Sequence, residues 1–254
     1  MDLSCCIWAL TASIDETVKE IAAAGFDVID VRPHTVDGEA REHNLRVSCI
    51  AVSQGMPAEV ALYSHDEETI AQAVEYIEKA LEYGAALGVK TAYVVPEKSE
   101  DAGGLERYAQ SLVHLADRAD ELGIKLCVEH FPGTALPTVA TTLGLLRAIS
   151  HPNLYLLFDI GHAQISKEDP AAAIQAAGAQ LGYVHLDDND GVGDLHLGLT
   201  DGVLTEGVLQ AALAALVNIG YGGEVSLELN PELEDPLTAL KKSREITLAA
   251  LSHL

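Results

Sequence analysis

The sequence predicts an α/β fold, a (β/α)8 barrel (TIM barrel) formed by a single domain over residues 1–254. Eight short runs rich in Val, Ile, Leu and Tyr recur near residues 3–9, 27–31, 46–52, 90–95, 125–130, 155–159, 182–187 and 224–229. Longer Ala-, Leu- and Glu-rich stretches with helical spacing of apolar residues separate them, which is the alternation of repeated βα units. The count of eight over about 250 residues matches a closed barrel. An open doubly wound sheet gives a similar alternation and is the alternative architecture.

Helix starts are legible because side-chain oxygens satisfy the first free amides. Ser13 with Glu16, and Ser64 with Glu67, have the spacing of a capping box. Asp169-Pro170 and Asp235-Pro236 place a cap before a residue whose missing N–H is harmless at the first helical position. Gly25, Gly88, Gly123 and Gly220 each follow a helical stretch and precede a strand, as a left-handed C-terminal cap requires. Residues 32–45 and 53–64 read as loops or poor helices. No Ser/Gly-rich linker, charge block or low-complexity segment divides the chain.

Composition narrows the function. With 48% apolar residues the chain can fill a sizeable core. A formal charge of −24 repels phosphate backbones and anionic lipid, so neither nucleic acid nor membrane is an expected partner. The chain opens Met1, Asp2, Leu3 without a basic leader and has no apolar run long enough to span a bilayer, which points to the cytoplasm. Cys5, Cys6, Cys49 and Cys127 lie in strand-like runs without paired spacing and read as buried thiols.

Strand side chains alternate between faces, and this alternation locates the chemistry. Leu126 and Val128 oppose Cys127 and Glu129; Leu156 and Phe158 oppose Leu157 and Asp159. Val184 and Leu186 oppose Tyr183, His185 and Asp187; Val225, Leu227 and Leu229 oppose Ser226, Glu228 and Asn230. Four consecutive strands thus end an inward face on an acid or imidazole. Taken singly, Glu129 and Glu228 are strand-end charges reaching solvent, and Asp159 and Asp187 are turn or cap residues. Taken together, three carboxylates and one imidazole at one mouth suit a divalent cation, because buried ionised acids need a counter-charge. Oxygen-rich ligation with one nitrogen suits Mn²⁺ best, and Mg²⁺, Co²⁺ or Zn²⁺ also fit.

At this point the chain resembles the xylose isomerase-like barrel family, which includes ketose 3-epimerases, hydroxypyruvate isomerase, inosose dehydratase and, more distantly, endonuclease IV. The resemblance rests on Val128-Glu129-His130, Phe158-Asp159-Ile160-Gly161-His162, Tyr183-Val184-His185-Leu186-Asp187-Asp188, Asp194-Leu195-His196, and Ser226-Leu227-Glu228 after Gly220-Tyr221-Gly222-Gly223. It implies that Glu129, Asp159, His185 and Glu228 bind the metal, that Glu129 and Glu228 exchange protons, and that His162 holds substrate. The implied chemistry is proton transfer beside a carbonyl, through a metal-stabilised enediolate of a keto-sugar or polyol-like small molecule. A dehydratase of the inosose or dehydroshikimate type is the main alternative. An endonuclease IV-like nuclease and a non-catalytic barrel subunit are lesser ones. A homo-oligomer is compatible with all of them.

Asp187, Asp194, His196, Trp8, Arg32 and His34 complete the expected substrate-binding set. Two departures matter. The most similar epimerases carry an arginine shortly after the metal-binding histidine, where this chain reads Asp187, Asp188, Asn189, Asp190, Gly191. Asp194 and His196 resemble a pair that binds additional zinc in endonuclease IV, but no histidine ends the third or fourth strand to complete a three-metal site. Arg32 and Lys98 are the clear cations near the mouth, too few for the usual phosphate clamp, so an unphosphorylated substrate is expected. Backbone amides of residues 198–202 offer an alternative anion seat.

Overall fold

The computed structural model describes residues 1–96, 103–252 and 254. Eight parallel strands close into one barrel in sequence order: β1 (Leu3–Cys6), β2 (Val28–Val31), β3 (Arg46–Ala51), β4 (Thr91–Val94), β5 (Lys125–Glu129), β6 (Leu154–Asp159), β7 (Leu181–Leu186) and β8 (Val225–Leu227). Each falls within or beside an expected run. Closure comes from β1 pairing with β8, Leu3 beside Val225 and Cys5 beside Leu227; the open-sheet alternative is thereby excluded.

The expected faces are the observed ones. Cys49, Ala51, Tyr93, Cys127, Leu157 and Tyr183 pack inside the barrel. Leu126, Val128, Leu156, Phe158, Val184, Leu186 and Val225 pack outward against the helices, in the larger core. All four cysteines are buried free thiols.

The outer helices are α1 (Ile14–Ala23), α2 (Glu39–Glu42), α3 (Glu67–Leu87), α4 (Gly104–Glu121), α5 (Val139–Ile149), α6 (Ile160–Ile165), α7 (Pro170–Ala177), α8 (Glu206–Asn218) and α9 (Pro236–Leu251). Asp169 and Asp235 cap α7 and α9 by accepting the amides of Ala172 and Thr238. The two serine caps differ from expectation. Ser13 precedes α1 but makes no side-chain cap bond. Asp66 rather than Ser64 caps α3, because Ser64 Oγ is engaged by the Asp66 amide. Gly25, Gly88, Gly123 and Gly220 adopt φ of 89°, 84°, 69° and 72°, the left-handed backbone expected of them. Among the described residues no helix is long and apolar enough to cross a membrane.

Two register shifts tune the barrel. One inserts Ser48 into β3, between the pairs Ile29/Val47 and Asp30/Cys49. The other inserts Gly182 into β7, between Leu156/Leu181 and Leu157/Tyr183, and thereby sets Asp159 directly beside His185. Glycine is needed there for space: a Cβ on residue 182 would lie 2.5 Å from Cys127 Sγ and 2.6 Å from Tyr155 Cβ. Gly182→Ala is therefore expected to lower stability by about 1–3 kcal/mol through overpacking. A urea unfolding midpoint equal to that of the parent would contradict this close approach.

Candidate active site

The mouth is built by strand ends. Glu129 ends β5, Asp159 ends β6, His185 is the penultimate residue of β7, and Glu228 follows β8 directly. Their exposures of 3%, 0%, 0% and 8% place them under the rim. Each offers one ligand atom, and the four atoms lie within 4.8 Å of one another. His185 Nδ1 stands 2.7 Å from Glu228 Oε2 and 4.0 Å from both Glu129 Oε1 and Asp159 Oδ2.

This set fits a divalent cation by three tests. Asp159 Oδ2 and both ring nitrogens of His185 are buried without a hydrogen-bond partner, although buried polar atoms rarely stay unpaired. The short approach of His185 Nδ1 to Glu228 therefore lacks hydrogen-bond geometry, as for two ligand atoms facing a common centre. Among the described residues no lysine or arginine forms an ion pair with any of the four. Finally, burial pushes Glu129 up to about 8 against the pull of His162, and pushes Asp159 up to about 7. Glu228 alone falls, to about 2, because the His185 imidazole outweighs its burial. The protein's own groups leave two of three carboxylates uncompensated, and a doubly charged ion would supply what is missing.

Asp159 divides its two oxygens. Its Oδ1 caps α6 by accepting the His162 amide at 2.8 Å, while Oδ2 turns to the cluster. His130, next to Glu129, holds this corner: its Nε2 accepts the Asp159 amide at 3.1 Å, and its carbonyl accepts His162 Nδ1–H at 3.0 Å. That fixes the His162 ring, with Nε2 pointing to Asp194 Oδ1 at 3.3 Å. Burial disfavours the imidazolium of His162, but Asp159 and Asp194 outweigh it and raise the group to about 10.

A cavity of about 340 Å³ opens over the cluster, lined in part by Trp8, Arg32, Glu129, His162, Asp194, His196 and Glu228. Trp8 sits in a short 3-10 turn after β1 and donates Nε1–H to Glu228 Oε1 at 3.0 Å. His196 faces Asp194 at 3.3 Å and Asp187 at 2.8 Å, and holds a left-handed φ of 44° that non-glycine residues rarely adopt. Asp187 is fully buried and does not line the cavity, accepting the Gly161 amide at 3.0 Å. His34 is exposed, packs against Tyr83 with ring centroids 4.9 Å apart and planes tilted by 48°, and does not line the cavity. Lys98 and His253 lie outside the described residues.

Sequence reasoning passed over Asp30. This fully buried acid on β2 accepts hydroxyls from Ser4 at 2.8 Å, Tyr183 at 2.7 Å and Ser48, with Oδ2 3.8 Å from His185 Nε2. The signal was present, since Val28-Ile29-Asp30-Val31 places one charge inside an apolar strand. Phe131, whose ring lies 4.4 Å from that of His162, and the Asp188 carboxylate, which gathers the amides of Asn189, Gly202 and Leu204, were also missed. Their roles depend on loop folding.

Comparison with known proteins places this geometry. The family model described as "Xylose isomerase-like TIM barrel" matches residues 18–249. The L-ribulose 3-epimerase of Methylomonas sp. (strain DH-1) is 28% identical over 246 residues, covering 89% of this chain and 82% of that protein. The inosose dehydratase of Lacticaseibacillus casei is 24% identical over 194 residues, covering 69% and 63%. A solved structure of L-ribulose 3-epimerase superposes with a TM-score of 0.83 at 22% identity, over 100% of this chain and 95% of that one. The chain therefore belongs to the xylose isomerase-like TIM barrel family.

Proposed function

We propose that this protein is a metal-dependent epimerase or isomerase of a small keto-sugar or polyol-like molecule. It removes the proton from the carbon beside a carbonyl and returns it to the opposite face or to the adjacent carbon. The observation that carries this reading is that Glu129 and Glu228 line one cavity and each turns an oxygen into the same four-residue cluster. The relatives support it, since several bear the names L-ribulose, D-psicose or ketose 3-epimerase. We read the protein as cytoplasmic, in keeping with its four free buried thiols.

Glu129, Asp159, His185 and Glu228 would hold the cation, for which Mn²⁺ is the best match to the donor set. When bound, it polarises the substrate's carbonyl and neighbouring hydroxyl and offsets the negative charge that grows on them as the C–H bond breaks. The remaining work falls to side chains. One of Glu129 and Glu228 takes the proton from carbon, and the other delivers one. Trp8 keeps the Glu228 carboxylate oriented through its N–H. His162, fixed by His130 and facing Asp194, lines the cavity where the pair would meet a substrate hydroxyl. Trp8 and Phe131 wall the pocket and exclude water from the reacting carbon.

A dehydratase is the second reading. His162, raised to about 10 and lining the cavity, is a proton donor for a departing hydroxyl, and the inosose dehydratases among the relatives fit it.

Incubation of the Mn²⁺-loaded protein with ketoses in D₂O separates the two. An epimer of unchanged composition carrying one solvent deuterium is expected; loss of one water would favour the lyase. Glu129→Gln is expected to lower kcat at least about 100-fold, with bound metal quantified in parallel, and full activity in that variant would sink the proton-transfer reading. Glu129 and Asp159 are raised above ordinary carboxyls, so their protonated forms stabilise the metal-free protein at low pH. That contribution is lost as pH rises through about 7 and about 8, while the cation must displace those same protons. The gain in Tm on adding saturating MnCl₂ should thus be larger at pH 8 than at pH 6; an equal gain at both would contradict it.

A further inference from the structure

Arg32 follows β2 and lies half-buried on the cavity wall, with its guanidinium carbon 4.7 Å from the centre of the Trp8 ring. Its Nε is buried and has no hydrogen-bond partner. Among the described residues no carboxylate pairs with it, although the chain carries 39 acidic residues against 15 basic ones. Arg46 pairs with Asp2 and Glu224, and Arg118 with Glu82 and Glu121, while Arg147 is held by Gln180 and the Ala176 carbonyl and Arg244 lies over the Phe26 ring. Arg32 is also the one lysine or arginine lining the cavity among the described residues.

A guanidinium stacked on an indole is held in a fixed plane, with its N–H fork free to meet a planar anion. Gln54 and Asn230 line the same cavity and add amide donors. Phosphate dianions ordinarily gather several cationic donors, whereas a carboxylate is matched by a single bidentate guanidinium. Resting on the epimerase reading above, we propose that the preferred substrate is a keto-sugar acid, whose carboxylate is taken by Arg32 while its carbonyl end lies over Glu129 and Glu228.

The matched probes are D-fructose, its C6 acid D-fructuronate, and D-fructose 6-phosphate, titrated by calorimetry into the Mn²⁺-loaded protein, with turnover of each sugar followed separately. D-fructuronate is expected to bind at least about tenfold more tightly than D-fructose, the scale of one charge-assisted contact. Arg32→Met should bring the two within about threefold. Arg32→Lys, which keeps the charge but not the fork, should retain part of the preference. Equal affinities for sugar and acid in the parent protein overturn the proposal. So does a loss in Arg32→Met that falls equally on both, since Arg32 would then serve only Trp8 and Glu228. Tighter binding of the phosphate overturns the choice of carboxylate. Should the acid bind as expected while none of the sugars is converted, the epimerase reading fails and the anion seat stands; conversion of D-fructose without acid preference has the reverse meaning.

Discussion

Closure of the sheet between β1 and β8 is the constraint on which the rest of this structure depends. An open sheet leaves two edges whose backbone groups must be met by water or a covering segment, and a ring of eight has no edge. Once closed, the barrel brings the carboxyl ends of β5, β6, β7 and β8 to one rim. Residues far apart in the chain then share a space a few ångströms wide, and their chemistry follows from that enforced proximity. The extra residue Gly182 refines it by aligning Asp159 with His185.

The buried acids divide into two kinds. Asp30 is satisfied by hydroxyls from Ser4, Ser48 and Tyr183, and Asp188 by three backbone amides. Protein groups are evidently available in this barrel to neutralise a buried carboxylate locally. At the rim, Asp159 and His185 instead keep polar atoms without partners, and Glu129 is driven toward its protonated form. A site that leaves charge uncompensated while Asp30 and Asp188 are fully bonded is arranged for a ligand that brings opposite charge with it.

Much of this was legible beforehand because strand periodicity and the acid at each strand end are local properties. All eight strands, the inward and outward faces, the proline-marked helix starts and the glycine-marked helix ends follow from residue type within a few positions. The serine caps were misjudged because a side-chain oxygen can bond any nearby amide, and Ser64 was already committed to Asp66. Asp30 was overlooked because its partners come from β1, β3 and β7, which no window around β2 contains. His34 was expected near substrate from its position after β2, yet the loop turns it onto Tyr83.

The sequence alone determined which residue types occupy which strand ends and faces, because alternation and capping depend on neighbours along the chain. Tertiary structure decided what those residues meet: the pairing of Asp159 with His185, the division of the two Asp159 oxygens between a helix cap and the cluster, the Trp8 contact to Glu228, and the seat of Arg32 over Trp8 without an ion pair to a described acid. Each depends on separations across the barrel set by register and closure, and at these distances a shift of one residue would turn the side chain to the opposite face.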